Sequence, residues 1–224
     1  MKKYLALTAI LIVTGLVLAA HQGYFRIKTI DCFTQFGPCP ADFQRVVAFL
    51  FDQPIYRPLP RSLIHSKFQS FPAISSLSLY RRLPHTLVVS IQLRRPLGTL
   101  SSEVLGASVV DDQGLVFDTA SDSVLPELIV SDPVQVGQLI HPDQLAAMQV
   151  LSQVAAISPA KTSGVLTDSV LTIRIPSDIM LLLDIKHLPP GWDASLQAIL
   201  ARSKINGKIP HKIDLRYANP IVTF

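Results

Sequence analysis

Residues 74–93, ISSLSLYRR-LPH-TLVVSIQL, carry the clearest secondary-structure pattern of this sequence. The two runs of this segment flank the turn Leu83-Pro84-His85, and in both runs apolar residues recur at every second position, as in a half-buried strand. The first run places Leu77 and Leu79 on one face. The second run continues that face with Leu87, Val89, Ile91 and Leu93. The segment therefore predicts an antiparallel hairpin with one face against a core.

The residues before this hairpin predict one strand and two helices. Tyr24 to Ile30 alternates apolar and polar side chains, as a strand does. Ala41 to Phe51 has the apolar spacing of an amphipathic helix, and Ser62 to Phe71 predicts a second helix after a proline-rich break. The order strand, helix, helix, strand, strand is typical of a small α+β unit.

A second region with strands and helices follows the hairpin. Its predicted elements are a hairpin at 109–117 that turns at Asp111 to Gly114, a helix opened by Pro142, strands at 169–175 and 179–185, and a helix at 193–203 capped by Asp193. The chain closes with Lys212 to Val222, which predicts a terminal strand.

The N-terminal residues predict a membrane segment. Tyr4 to Ala20 carries no charge and follows Met1-Lys2-Lys3. Its length favours a transmembrane helix over the shorter apolar core of a signal peptide, although cleavage after Ala19 or Ala20 stays open. We therefore expect a cytoplasmic tail at residues 1–3, a transmembrane helix at 4–20, contact with the lipid bilayer, and the bulk of the chain outside the cytoplasmic membrane.

The two cysteines, Cys32 and Cys39, flank a short loop. A local disulfide is expected if this region lies in an oxidising compartment, and a pair of reduced, partly buried thiols is the alternative. Two cysteines without histidines at ligand spacing do not complete a zinc site.

Catalysis has little support in the sequence, which has none of the common nucleophile, phosphate-loop or zinc-protease motifs. Asp111 and Asp112 form the one carboxylate pair of interest for glycan hydrolysis, but adjacent aspartates in a tight turn more often shape that turn. Arg81-Arg82 and Arg94-Arg95 are candidates for an acidic partner or anionic lipid, or form a solvated face. The net charge of +4 is mild. We expect no enzyme activity, cofactor, metal, nucleic acid or small-molecule substrate.

Several segments together resemble the FtsQ/DivIB family of bacterial cell-division proteins. The resemblance covers nearly the whole chain. It rests on the FRIKTI strand at 25–30, the FPAI and LYRRLPHTLVVSI runs at 71–74 and 79–91, the Asp-Gly hairpin, the Leu-Pro segment at Leu125, and the terminal Asp214-Leu215-Arg216-Tyr217. Leu93-Arg94-Arg95-Pro96 departs from the family's Glu-Arg-x-Pro pattern, which has an acidic residue at the first of these positions.

This resemblance implies a POTRA-type domain at 24–97 and a mixed α/β domain with a mainly antiparallel sheet at 98–224. It also implies a non-catalytic scaffold in septum formation, with FtsB- and FtsL-like divisome membrane proteins as partners. By carry-over, Arg216 and Tyr217 contact the partner, and Ala218 and Asn219 supply backbone pairing in an added strand.

Two other interpretations stay open from the residues. Asp214 and Arg216 are equally explained as paired surface charges, with Ile213, Leu215 and Tyr217 filling the core side. The alternative function is a secreted or periplasmic POTRA-type chaperone module that binds client polypeptides by strand addition.

Overall fold

The computed structural model describes residues 8, 10–15, 23–120, 123–132, 134–158, 161–175 and 178–224. The chain divides into two compact units, Met1–Leu93 (unit 1) and Arg94–Phe224 (unit 2). Each unit has its own sheet and its own buried core, with four strands in unit 1 and nine in unit 2. The chain is therefore an α+β protein built on two mixed sheets.

The prediction of an N-terminal transmembrane helix is corrected by the structure. Crossing a bilayer core takes about 20 apolar residues in one helix, and no helix within the described residues is long and apolar enough. Residues 8 and 10–15 are helical, and the remainder of the predicted span lies outside the described residues, as does the predicted tail at 1–3. The predicted fold class, which began with this helix, and the predicted single-pass membrane localisation are both wrong on this finding.

Unit 1 contains the hairpin predicted at residues 74–93. Its elements are β1 (Thr29–Thr34), β2 (Gly37–Pro38), α1 (Ala41–Val47), a 3-10 turn (Ala48–Leu50), α2 (Arg61–Phe68), β3 (Ile74–Arg82) and β4 (Thr86–Leu93). The strand order is β2-β1-β4-β3, in which β4 pairs parallel with β1 and antiparallel with β3. Strand β4 is thus the central long strand of this sheet.

The period-two pattern of β4 points its apolar side chains into the core of unit 1. Leu87, Val89 and Ile91 are buried there. Both helices contribute to the same core, in which Phe43 of α1 and Phe68 of α2 have ring centroids 6.4 Å apart. The helices therefore cover one face of the four-stranded sheet.

A disulfide bond joins Cys32 in β1 to Cys39, which follows β2. Their Cα atoms are 5.3 Å apart, and the Cys39 N–H also donates to the Cys32 carbonyl at 3.0 Å. Both cysteines are buried in the core of unit 1.

Unit 2 is organised around a nine-stranded sheet. Its elements are β5 (Pro96–Ser102), β6 (Gly106–Asp111), β7 (Val116–Ala120), β8 (Glu127–Ile129), α3 (Pro142–Ile157), β9 (Ser163–Thr167), β10 (Val170–Ile175), β11 (Ile179–Asp184), α4 (Trp192–Asn206), β12 (Lys212–Asp214) and β13 (Ile221–Thr223). The strand order is β13-β12-β11-β10-β9-β8-β5-β6-β7. The first and last strands in this order, β13 and β7, are the two edges.

Helix α3 begins where the proline pattern predicted. His141 is the N-cap, and its Nδ1 accepts from the Asp143 N–H at 3.3 Å while its own N–H donates to the Gln144 side chain at 3.1 Å. Pro142 lacks an N–H and so loses nothing in the first turn. Helix α4 begins at Trp192, one residue before the predicted cap at Asp193, because Gly191 adopts a left-handed φ of 72° and serves as the N-cap.

Helix α3 lies so close to β5 that one strand position has no room for a side chain. A Cβ built on Gly98 would collide with the Met148 Sδ and would lie 2.9 Å from the Pro126 carbonyl oxygen. That oxygen is fixed, because it accepts the Thr99 N–H at 2.8 Å. Glycine at position 98 thus allows the close approach of helix and strand.

We expect Gly98→Ala to lower the free energy of unfolding by about 1–3 kcal/mol, the usual cost of overpacking a core. Adding Met148→Ala should make the two costs less than additive, because it removes the colliding atom. Urea unfolding of the single and double variants measures these costs. Ser101→Ala, another substitution in β5, is the control. Additive costs would contradict the proposed collision.

Candidate functional site

The candidate site is the edge of the nine-stranded sheet formed by the last strand, β13. Strand β13 pairs antiparallel with β12 from Asp214 opposite Ile221 to Lys212 opposite Thr223. No strand of the described residues pairs with its other side. A free edge of this kind offers backbone donors and acceptors to another chain.

The hydrogen bonds of β12 show which groups of β13 face outward. The His211 carbonyl accepts the Met180 N–H at 2.9 Å, and the Leu215 N–H donates to the Leu182 carbonyl at 2.8 Å. In the parallel register with β11, these two bonds at either end of β12 place the backbone groups of Ile213 on the β11 side and those of Lys212 and Asp214 on the β13 side, where the His211 N–H also donates to the Thr223 carbonyl at 2.9 Å. Because Val222 lies opposite Ile213, its own N–H and C=O point out of the sheet.

Asp214 and Arg216 make a close ion pair beside this edge. The Arg216 Nη2 lies 2.6 Å from Asp214 Oδ2, and its Nε and backbone N–H donate to Oδ1 at 2.9 and 3.2 Å. The side-chain hydrogen bond from Arg216 is the main reason that the pKa of Asp214 lies below its ordinary value, and the same bond raises the pKa of Arg216. Three bonds from one residue fix the bend that follows β12.

This bend presents Tyr217 to the solvent. The ring of Tyr217 is 53% exposed, with the Arg216 guanidinium carbon 5.6 Å from its centroid. Ile221 and Phe224, at either end of β13, are 56% and 65% exposed. Large apolar side chains therefore accompany the outward-facing backbone groups.

The predicted partner-binding residues lie in a bend of the structure and not in the predicted strand. Residues 216–219 form a bend, so Ala218 and Asn219 lie between two strands rather than in the predicted terminal strand. Arg216 and Tyr217 lie beside the edge, and Tyr217 does not fill the core, in contrast to Ile213 and Leu215.

One terminal strand was predicted at Lys212 to Val222, and it was missed that β13 is a separate strand after a bend. Ile221–Thr223 is only three residues long and has no period to detect. The available signal was Asn219-Pro220, a turn dipeptide placed immediately before a β-branched run.

The carboxylate of Asp111 accepts hydrogen bonds within a turn and makes an ion pair. Its Oδ1 accepts the Gln113 and Leu115 N–H groups at 2.9 and 2.8 Å, and its Oδ2 lies 2.6 Å from Arg94 Nη1. The side chain is buried, whereas Asp112 is exposed. The contacts of Asp111 are those of a residue that shapes the β6–β7 hairpin.

A second candidate surface lies in unit 1 between β1 and α1. A cavity of about 450 Å³ is lined by Ile30, Cys32, Gln44, Val47, Ala48 and Phe51. Strand β2 pairs with β1 only at Phe33 and Thr34, so the first part of β1 borders this cavity without a neighbouring strand on that side. Gln44 contributes its one polar lining group, and its Nε2 donates to the Cys39 carbonyl at 2.9 Å.

Neither candidate surface has the composition of a metal site. Across the part of the chain that the structure describes, no three His, Cys, Asp or Glu side chains come together in a way that would hold a metal ion.

The sequence matches no family model and no curated protein.

Asp214→Asn should lower the free energy of unfolding by about 1.5–3 kcal/mol at neutral pH, the usual contribution of hydrogen bonds to a charged group. The folded-state pKa of Asp214 is lowered, so its carboxylate contributes its full stabilisation of the fold above the unfolded-state pKa of about 3.9. This stabilisation is lost as pH falls through the folded-state pKa. The difference in free energy of unfolding between the wild type and the variant should therefore shrink below about pH 4. Urea unfolding across the acid range measures it, and the exposed Asp112→Asn serves as control. A difference that stays constant into strong acid would contradict the pairing.

Proposed function

We propose that this chain is a non-catalytic protein-binding module that captures an extended segment of a partner as an additional strand beside β13. One observation carries the proposal: the outward N–H and C=O of Val222 lie at a free sheet edge, close in sequence to the exposed Tyr217, Ile221 and Phe224. In strand addition, backbone hydrogen bonds supply affinity and side-chain contacts supply specificity.

The edge is short, and this determines how a partner binds. Strand β13 has three residues, and Pro220 before it has no N–H to donate. Few ladder hydrogen bonds are therefore available, so most of the affinity must come from side chains. Tyr217 and Phe224 are suited to this role, because exposed aromatic residues are frequent energetic anchors of interfaces.

The resemblance to the FtsQ/DivIB family supplies the class of partner. On that resemblance, the captured segment belongs to an FtsB- or FtsL-like protein of the divisome, and the chain recruits or regulates septal proteins. The position of the Asp214-Leu215-Arg216-Tyr217 motif directly before the edge strand supports this proposal.

A second candidate function is the binding of client polypeptides by unit 1. The observation that favours it is the 450 Å³ cavity beside the unpaired part of β1, where an extended chain would gain both backbone bonds and an apolar pocket. This function uses a different unit and different residues, so substitutions separate the two.

The first test compares Val222→Pro with Val222→Ala. Both replace the branched side chain, but only proline removes the outward N–H, which no strand of the described chain uses. We expect proline to weaken binding of a purified FtsB-like or FtsL-like protein about tenfold relative to alanine, equivalent to the loss of one hydrogen bond. Isothermal titration calorimetry measures the affinities, and circular dichroism verifies the fold.

Equal binding by the two Val222 variants would contradict strand addition at β13. Loss of binding in Ala48→Asp, which places a charge in the cavity of unit 1, together with unchanged binding in Val222→Pro, would favour the second candidate instead.

Tyr217→Ala should weaken the same interaction by about 30-fold, as expected for an aromatic anchor worth about 2 kcal/mol. Its effect on unfolding should be small, because the ring is more than half exposed. Tyr217→Phe keeps the ring and its contact with Arg216 and should retain most of the affinity. A folded Tyr217→Ala variant that binds like wild type would remove Tyr217 from the site.

A further inference from the structure

Strand β3 forms a long free edge in unit 1. Among the strands that the structure describes, it pairs with β4 alone, through Leu77 opposite Ile91 to Arg82 opposite Thr86. In an antiparallel pair, alternate residues direct their N–H and C=O away from the neighbour. Within the described residues, no other segment hydrogen-bonds to the backbone groups of 75–82 on that outer side.

The usual protections of an edge strand are largely missing here. Proteins shield edges with short strands, charged residues, prolines or bulges. Strand β3 has nine residues, and Ile74 to Tyr80 contains neither a charge nor a proline. The single irregularity in register lies between Ile74 and Ser76, which leaves Ser76 to Arg82 regular.

The two charges of β3 are held within unit 1. Arg81 donates from Nη2 to the Arg57 carbonyl at 2.8 Å, and Arg82 pairs with Asp31 of β1. Both arginines lie at the C-terminal end of the strand. The central part, Leu77-Ser78-Leu79, is half-buried and uncharged.

We infer that β3 pairs with β3 of a second copy of this chain, antiparallel and with the two-fold axis at Ser78. In this register Leu77 lies opposite the partner's Leu79 on the face that packs against the helices, and Ser76 lies opposite the partner's Tyr80 on the other face. The arginines meet uncharged residues, since Arg81 and Arg82 lie beside the partner's irregular start of β3 at Ile74 and Ser75, which carries no charge. The strand is therefore complementary to itself.

Other arrangements of the same two strands are less favourable. A parallel pair in register sets Arg81 and Arg82 against the same residues of the other copy, and like charges directly opposite are destabilising. An antiparallel pair centred on Leu79 places Leu77 opposite an arginine. An antiparallel pair centred on Leu77 places Leu79 opposite Ser75.

The expected dimer has one eight-stranded sheet across the two copies. The two-fold axis at Ser78 stands perpendicular to the sheet, so both helical layers lie on the same side. The ladder is short compared with the interfaces of stable dimers, and the association should therefore be weak and dependent on concentration.

The sharpest test is oxidative cross-linking of Ser78→Cys. The two cysteines would lie directly opposite each other, where Cα atoms are about 4.5–5.5 Å apart and a disulfide fits. Ser76→Cys is the matched control on the same face of the same strand. Its two copies would be four residues out of register, about 13 Å apart, and too far to bridge. Non-reducing gel electrophoresis after copper phenanthroline treatment should show a covalent dimer for Ser78→Cys alone.

Sedimentation equilibrium gives a second readout that does not depend on cysteine chemistry. The wild-type chain should show a monomer–dimer equilibrium, and Ser78→Lys, which sets two cations opposite each other, should shift it to monomer. Absence of a Ser78→Cys dimer, equal cross-linking of Ser76→Cys, or a wild-type chain that remains monomeric at its highest soluble concentration would overturn the inference. None of these measurements involves β13, so their failure leaves the proposed strand addition to be judged by its own tests.

Discussion

The architecture of this chain follows from one constraint, which is that buried backbone N–H and C=O groups must be hydrogen-bonded. In an open sheet, neighbouring strands satisfy each other's backbone groups. The outward N–H and C=O groups of the edge strands have no strand partner. Both units are open sheets with helices packed on a face, so the inner strands have a neighbour on each side over at least part of their length, whereas within the described residues β3 and β13 are paired on one side. The two surfaces with proposed functions are direct consequences of leaving these sheets open.

Local electrostatics determines what the C-terminal edge presents. Asp214 ends β12, and its carboxylate collects three hydrogen bonds from Arg216. This pairing bends the chain away from the core immediately after Leu215, whose side chain is buried. Tyr217 is consequently exposed, and Arg216 stacks near its ring instead of extending into solvent. The ion pair is thus a positioning element for the aromatic side chain beside it.

The parts of the fold that were predictable are those encoded within a few neighbouring residues. The alternation in 74–93 predicted the β3–β4 hairpin, and Pro142 predicted the start of α3. The parallel pairing of β1 with β4 was not visible, because it joins residues more than fifty positions apart through backbone groups that every sequence possesses. At residues 4–20 a visible local pattern led to a wrong prediction, because apolar composition alone was interpreted as a transmembrane helix. At the candidate site, Tyr217 stays a prediction from the terminal motif, whereas β13 was too short to show a period.

The shortness of β13 also bears on how the protein avoids uncontrolled assembly. Long, uniform edges act as templates on which strands accumulate into fibrils. Strand β13 has three residues behind a proline, so an incoming chain finds too few backbone groups for continued stacking unless its side chains also match those around the edge. Under the proposed strand addition, the same brevity that limits affinity would restrict this edge to a single, reversible and chemically selected occupant.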